Sequence, residues 1–103
     1  VGPWIVTRDE FSAGSPQLRL RLSVDGEVRQ DGTTADMTWG VPELVHFVEQ
    51  RSSFAAGDIL FTGSPDGVGQ GTGKFLNPGE LVEASIDGIG TLSNRVSTKA
   101  AGV

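Results

Sequence analysis

A chain of 103 residues and 10.8 kDa sets eight Lys and Arg against thirteen Asp and Glu, a formal charge of −5 with a pI near 4.6. That balance offers no basic stripe for nucleic acid and disfavours anionic membrane surfaces, and no apolar run approaches the roughly 20 residues of a membrane helix. The absence of cysteine excludes disulfides, thiolate nucleophiles and zinc knuckles, and fits a cytoplasmic location.

The opening Val1-Gly2-Pro3-Trp4 has neither an initiator Met nor a targeting segment. Fifteen glycines thin a core that is already small at this length. The chain is therefore expected to be part of a larger domain.

In chain order, Leu18, Leu20, Leu22 and Val24 alternate with Arg19, Arg21 and Ser23, the period of a strand with one buried face. Asp25-Gly26 then predicts a type I′ turn into a second strand over Glu27-Val28-Arg29-Gln30. Apolar spacing at Val41, Leu44, Val45 and Val48, with Phe47 alongside, predicts a helix over Val41–Arg51. Pro42 suits its first turn, and Glu43 and Arg51 complement its dipole. A short apolar strand is expected over Asp58–Thr62. Between Thr62 and Lys74 a glycine-rich stretch reads as a functional or disordered loop. A second hairpin, Glu80–Ile86 with Ile89–Val96, is expected around Asp87-Gly88, with the same turn chemistry as the first. The elements amount to a mostly β fold with one helix near 41–51.

Several chemical motifs fail on spacing. A Walker loop ending at Gly73-Lys74 needs glycine where Val68 stands and a hydroxyl where Phe75 stands. The dinucleotide fingerprint meets Thr72 at its third glycine. A nucleophile elbow at Ser64 needs glycine at Thr62 and Asp66, and its base would have to be His46, on the polar face of the helix among Glu43, Glu49 and Gln50. Asp9 and Glu10, read as extended chain, point to opposite faces, and Asp25 and Glu27 read as solvated turn residues, so no complete metal site emerges. Lys74 reads as surface charge rather than a Schiff-base amine.

The order of motifs is more specific than any single one. Gly2-Pro3-Trp4-Ile5-Val6-Thr7 precedes Asp25-Gly26-Glu27-Val28-Arg29-Gln30-Asp31 and Thr33-Thr34-Ala35-Asp36-Met37. Val41-Pro42-Glu43-Leu44-Val45 follows, then Gly57-Asp58-Ile59-Leu60-Phe61-Thr62-Gly63-Ser64-Pro65-Asp66-Gly67-Val68-Gly69 and Asp87-Gly88-Ile89-Gly90-Thr91-Leu92. From about Val1 to Val96 this resembles the C-terminal half of the fumarylacetoacetate hydrolase family's catalytic domain, the Thr-Gly-x-Pro-x-Gly-Val-Gly loop being the most diagnostic element.

The resemblance implies a mixed β-roll, of which residues 1–103 would be the C-terminal portion, in an enzyme that is usually a homodimer. It implies a divalent metal, Mg or Mn, and a small 2-oxo acid or its enol as substrate, undergoing hydrolysis, isomerisation or decarboxylation in aromatic-compound catabolism. The family's Glu-x-Glu metal pair and catalytic lysine belong upstream of Gly2-Pro3, so this segment alone is expected to supply no catalytic residue and to bind no metal. The one site position that maps is a hydroxyl, usually Thr and here Ser64, as a hydrogen-bond donor to substrate, with Gly63 and Pro65 shaping its loop. The alternative reading is a stand-alone, non-catalytic dimerisation or small-molecule-binding module derived from that family.

Overall fold

The computed structural model describes residues 2–12 and 14–98. Four strands, β1 (Arg19–Val24), β2 (Glu27–Thr33), β3 (Leu81–Ile86) and β4 (Gly90–Arg95), form one sheet in the order β2-β1-β3-β4. All three pairings are antiparallel, so the mixed character expected of the roll is not expressed in these four strands. A nine-residue helix, α1 (Val41–Glu49), and a single-turn helix, α2 (Gly69–Thr72), lie in the long connection between the hairpins. The mostly β architecture with a helix near 41–51 is thus present.

Local chemistry explains the first hairpin. Asp25 and Gly26 both have positive φ, 47° and 82°, as the I′ turn requires. The Asp25 carboxylate also accepts a 2.8 Å hydrogen bond from the Leu81 backbone N–H, so a residue expected to be merely solvated ties the turn to β3. At the second hairpin only Gly88 of the Asp-Gly pair has positive φ (75°). The loop there runs over three residues from Ile86 to its partner Gly90, a geometry that does not demand the mirror-image turn expected at Asp87.

Two further expectations are corrected. Asp58–Thr62 forms no strand: Ile59 and Phe61 are 68% and 80% exposed, and an apolar run pairs only where a neighbouring strand is available. Asp9 and Glu10 lie in a 3-10 turn over Arg8–Glu10 rather than in extended chain. The glycine-rich loop, for its part, is not wholly irregular, since α2 closes within it on the left-handed Gly73.

Cross-strand register gathers Leu20, Leu22 and Val24 opposite Ile86, Ala84 and Val82, with Leu92 opposite Ala84, so these side chains share one face. Burial there is shallow. Val24 is the one fully buried apolar residue among those described. The Cα radius of gyration is 16.1 Å, against about 13 Å for a compact chain of this length. Trp39, Phe47, Phe75 and Leu76 stay half or more exposed. This is the profile of a partial domain, whose apolar surface is proportioned for more polypeptide than is present.

Candidate functional site

The register of β2 sets up the site. Across the hairpin Leu22 faces Gln30, whereas Ser23 faces Val28, which leaves Arg29 as the extra residue of a β-bulge. Gly67 rests against the carbonyl of this bulged Arg29 so closely that a Cβ on Gly67 would lie 2.0 Å from that oxygen. Gly67 also has φ of +104°, so glycine is required there twice over. A little earlier, Pro65 packs on Gly32, where an added Cβ would sit 3.1 Å from the proline ring. The loop Thr62–Asp66 is thereby fastened to the edge strand β2.

Gln30 completes the fastening. Its Nε2 donates to the Pro65 carbonyl at 2.8 Å and to Ser64 Oγ at 2.9 Å. Gly63, with φ of +97°, supplies the sharp entry to Ser64. The loop forms one wall of an open cavity of about 530 Å³, lined also by Gly32 and Thr33 at the end of β2, by Thr34 and Asp36–Trp39 after it, and by Leu44 of α1. Ser64, Gly63 and Pro65, the residues singled out in the sequence, all line it.

The surroundings are held by polar ties. Thr34 Oγ1 accepts from the Leu18 N–H at 2.8 Å and donates to the Pro16 carbonyl at 2.9 Å, and Thr33 Oγ1 accepts from the Ala35 N–H. Asp31 also lines the cavity, but both its oxygens are engaged by Arg19, each at 2.8 Å, with Arg21 at 3.3 Å. The Arg19 hydrogen bonds, reinforced by Arg21, hold the Asp31 carboxyl down to about 2. A carboxylate so fully engaged serves structure rather than proton transfer.

The rejected constellations stay apart. Ser64 bonds to Gln30 and Pro65, while the exposed His46 faces Gln50 within its own helix, Nε2 to Nε2 at 2.9 Å. Lys74 is paired with Glu27, and that partnership lowers the Glu27 carboxyl below its ordinary value. Among the described residues no three His, Cys, Asp or Glu side chains converge as metal ligands, so the metal implied by the resemblance has no donor set in them. No described helix is long and apolar enough to cross a membrane. Gln30 is the residue that sequence reasoning missed. Its place in the Asp25–Asp31 motif was the available signal, but its pairing with Leu22 becomes visible only once the bulge is known.

Comparison with known proteins places this arrangement. Residues 1–97 match the sequence profile of the fumarylacetoacetate (FAA) hydrolase C-terminal region. Maleylpyruvate hydrolase of Aquipseudomonas alcaligenes is 42% identical over 93 residues, spanning 90% of this chain and 30% of that protein. The crystal structure of a probable 2-hydroxyhepta-2,4-diene-1,7-dioate isomerase from Mycobacterium abscessus superposes with a TM-score of 0.87 at 34% identity, covering 96% of this chain and 38% of the other. Fumarylpyruvate hydrolase from Pseudomonas aeruginosa, solved with Mn2+ and pyruvate, superposes at 0.73 with 35% identity, covering 81% of this chain and 34% of the other. The chain thus spans about a third of the length of the proteins it resembles. With profile, sequence and fold in agreement from the first strand to the last, the chain belongs to the fumarylacetoacetate hydrolase family.

Proposed function

We propose that residues 1–103 are the C-terminal portion of a single catalytic domain and form one wall of its substrate pocket. The enzyme acts on a small 2-oxo acid or its enol by C–C bond hydrolysis, isomerisation or decarboxylation in aromatic-compound catabolism. The observation that carries this reading is the fastened Thr62–Asp66 loop, which presents the Ser64 hydroxyl on the wall of a cavity of about 530 Å³. A hydroxyl there suits a carboxylate or enolate oxygen, and the positive φ of Gly63 together with Pro65 fixes its position.

The relatives' names support hydrolase and isomerase chemistry, and the Mn2+ in one of them supports Mg or Mn as cofactor. That ion would be held by residues outside segments 2–12 and 14–98. We further propose a homodimer, consistent with the apolar side chains left uncovered. A stand-alone binding module is the weaker reading, because a single buried apolar residue among those described gives such a module little core.

The test is Ser64→Ala in the full-length gene product, assayed with maleylpyruvate and fumarylpyruvate. Loss of one donor to a charged oxygen should lower kcat/KM about tenfold or more. Unchanged kinetics would remove Ser64 from the site. An intact mass about three times that of this chain, matching the relatives' lengths, should accompany the activity.

A further inference from the structure

We propose that Gln30 is a positioning residue for the site, holding the Ser64 hydroxyl as a donor aimed at the bound 2-oxo acid. This deepens the reading of Ser64 given above and rests on it.

The chemistry of the partners fixes the direction of each bond. The Pro65 carbonyl can only accept, so the Gln30 amide must turn its nitrogen to the loop, where Nε2 lies 2.8 Å from that oxygen. The same nitrogen lies 2.9 Å from Ser64 Oγ, so its second N–H is directed at the hydroxyl oxygen. Ser64 therefore accepts from Gln30, and its own proton must point elsewhere. Within the described residues the other acceptor in reach is the Pro65 carbonyl at 3.3 Å, which already receives the shorter bond from Gln30. A separation of 3.3 Å is long for an O–H···O bond, whose usual distance is about 2.7–2.8 Å. The proton is thus left for a ligand oxygen in the cavity, where an anionic acceptor makes the stronger, charge-assisted bond.

The backbone places Gln30 for this task. It follows the bulged Arg29 directly, and bulges re-aim the side chains beside them. Consecutive residues hold the loop at two points, the Arg29 carbonyl against Gly67 and the Gln30 amide against Ser64-Pro65. Without the amide the loop would keep its backbone contact, but the hydroxyl would be free to rotate into the role of acceptor.

Gln30→Glu in the full-length protein tests this, because it keeps the size of the side chain and removes both N–H donors. A carboxylate would draw the Ser64 proton toward itself and away from the ligand. Two readouts apply: the rise in Tm produced by pyruvate, and kcat/KM with maleylpyruvate. We expect Q30E to abolish most of the pyruvate-induced rise at neutral pH and to lower kcat/KM about tenfold. The deficit relative to the unsubstituted enzyme should shrink as the introduced carboxyl is protonated and donates again. On a Ser64→Ala background the same substitution should cost less than about threefold, since a residue acting through Ser64 has nothing left to orient. Equal losses on both backgrounds would mean that Gln30 only supports the loop, and would overturn the assignment.

If Q30E does not accumulate as folded protein, Gln30→Met, of similar length and uncharged, takes its place in the same cycle. A pyruvate response that survives Q30E or Q30M unchanged overturns the role of Gln30 alone. No response to pyruvate and no turnover in the unsubstituted protein would overturn the 2-oxo-acid reading, and this assignment with it.

Discussion

Gly67 and Arg29 meet backbone to backbone, so tightly that a Cβ on Gly67 would lie 2.0 Å from the Arg29 carbonyl oxygen. This contact joins the edge strand to the loop that carries Ser64, and a Cβ there would have to displace backbone rather than a flexible side chain. Gly67→Ala combines that clash with a φ of +104°. It should lower the stability of the full-length protein by about 2–3 kcal/mol in urea unfolding and impair turnover. A change below about 0.5 kcal/mol would show that the loop moves off β2 freely.

The first turn separates two contributions of one residue. Asp25 adopts φ of 47° and accepts from the Leu81 N–H. Asn tolerates that conformation and keeps a side-chain oxygen, so Asp25→Asn should cost less than about 0.5 kcal/mol. Asp25→Ala loses both and should cost about 1–2 kcal/mol. Equal effects in thermal or urea melts would place the stabilisation elsewhere in the turn.

Asp31 makes stability depend on acid. Its carboxyl titrates at about 2 in the folded chain, against about 3.9 when unfolded. A depressed pKa means that the contribution of the pair is fully present above about pH 4 and fades as pH falls through about 2. Urea melts between pH 5 and pH 2 should show this slope, and Asp31→Asn should remove that share of it. A slope of the same size in D31N would assign it to other carboxylates.

The uncovered apolar residues predict the behaviour of the 103-residue chain by itself. With Ile59, Phe61, Phe75 and Trp39 all more than 60% exposed, it should bind a dye specific for apolar surface and self-associate as its concentration rises. Light scattering coupled to gel filtration reads this directly. A monodisperse monomer that melts cooperatively would contradict it.

What could be read from the sequence follows the range of the interactions. Asp25-Gly26 and the helix starting at Val41 are set by neighbours within a few residues, and both appear where the pattern puts them, although the helix ends at Glu49 rather than at the expected Arg51. Asp58–Thr62 forms no strand, despite its apolar run, because a strand depends on a partner and none pairs with it among the described residues. The bulge at Arg29 has no mark in Val28-Arg29-Gln30, since it arises from fitting β2 to β1 while Gly67 docks alongside. For the site, the sequence identified the Ser64 loop but not Gln30, which lies 34 positions earlier and reaches Ser64 only through the folded register.

The strand order also bears on the time course of folding. Each hairpin closes over a two- or three-residue turn, an event of about 1–10 μs. The seam joining them, β1 against β3, must wait until the ends of segment 34–80 come together, and that non-local pairing is expected to be slower than either hairpin. The Thr62–Asp66 loop docks on β2 by closing part of the same segment, a non-local contact expected to form after the hairpins. Contacts that mature after the rate-limiting step leave the folding rate nearly untouched and act on the unfolding rate. A ligand seated against Ser64 should accordingly protect the enzyme by slowing its unfolding.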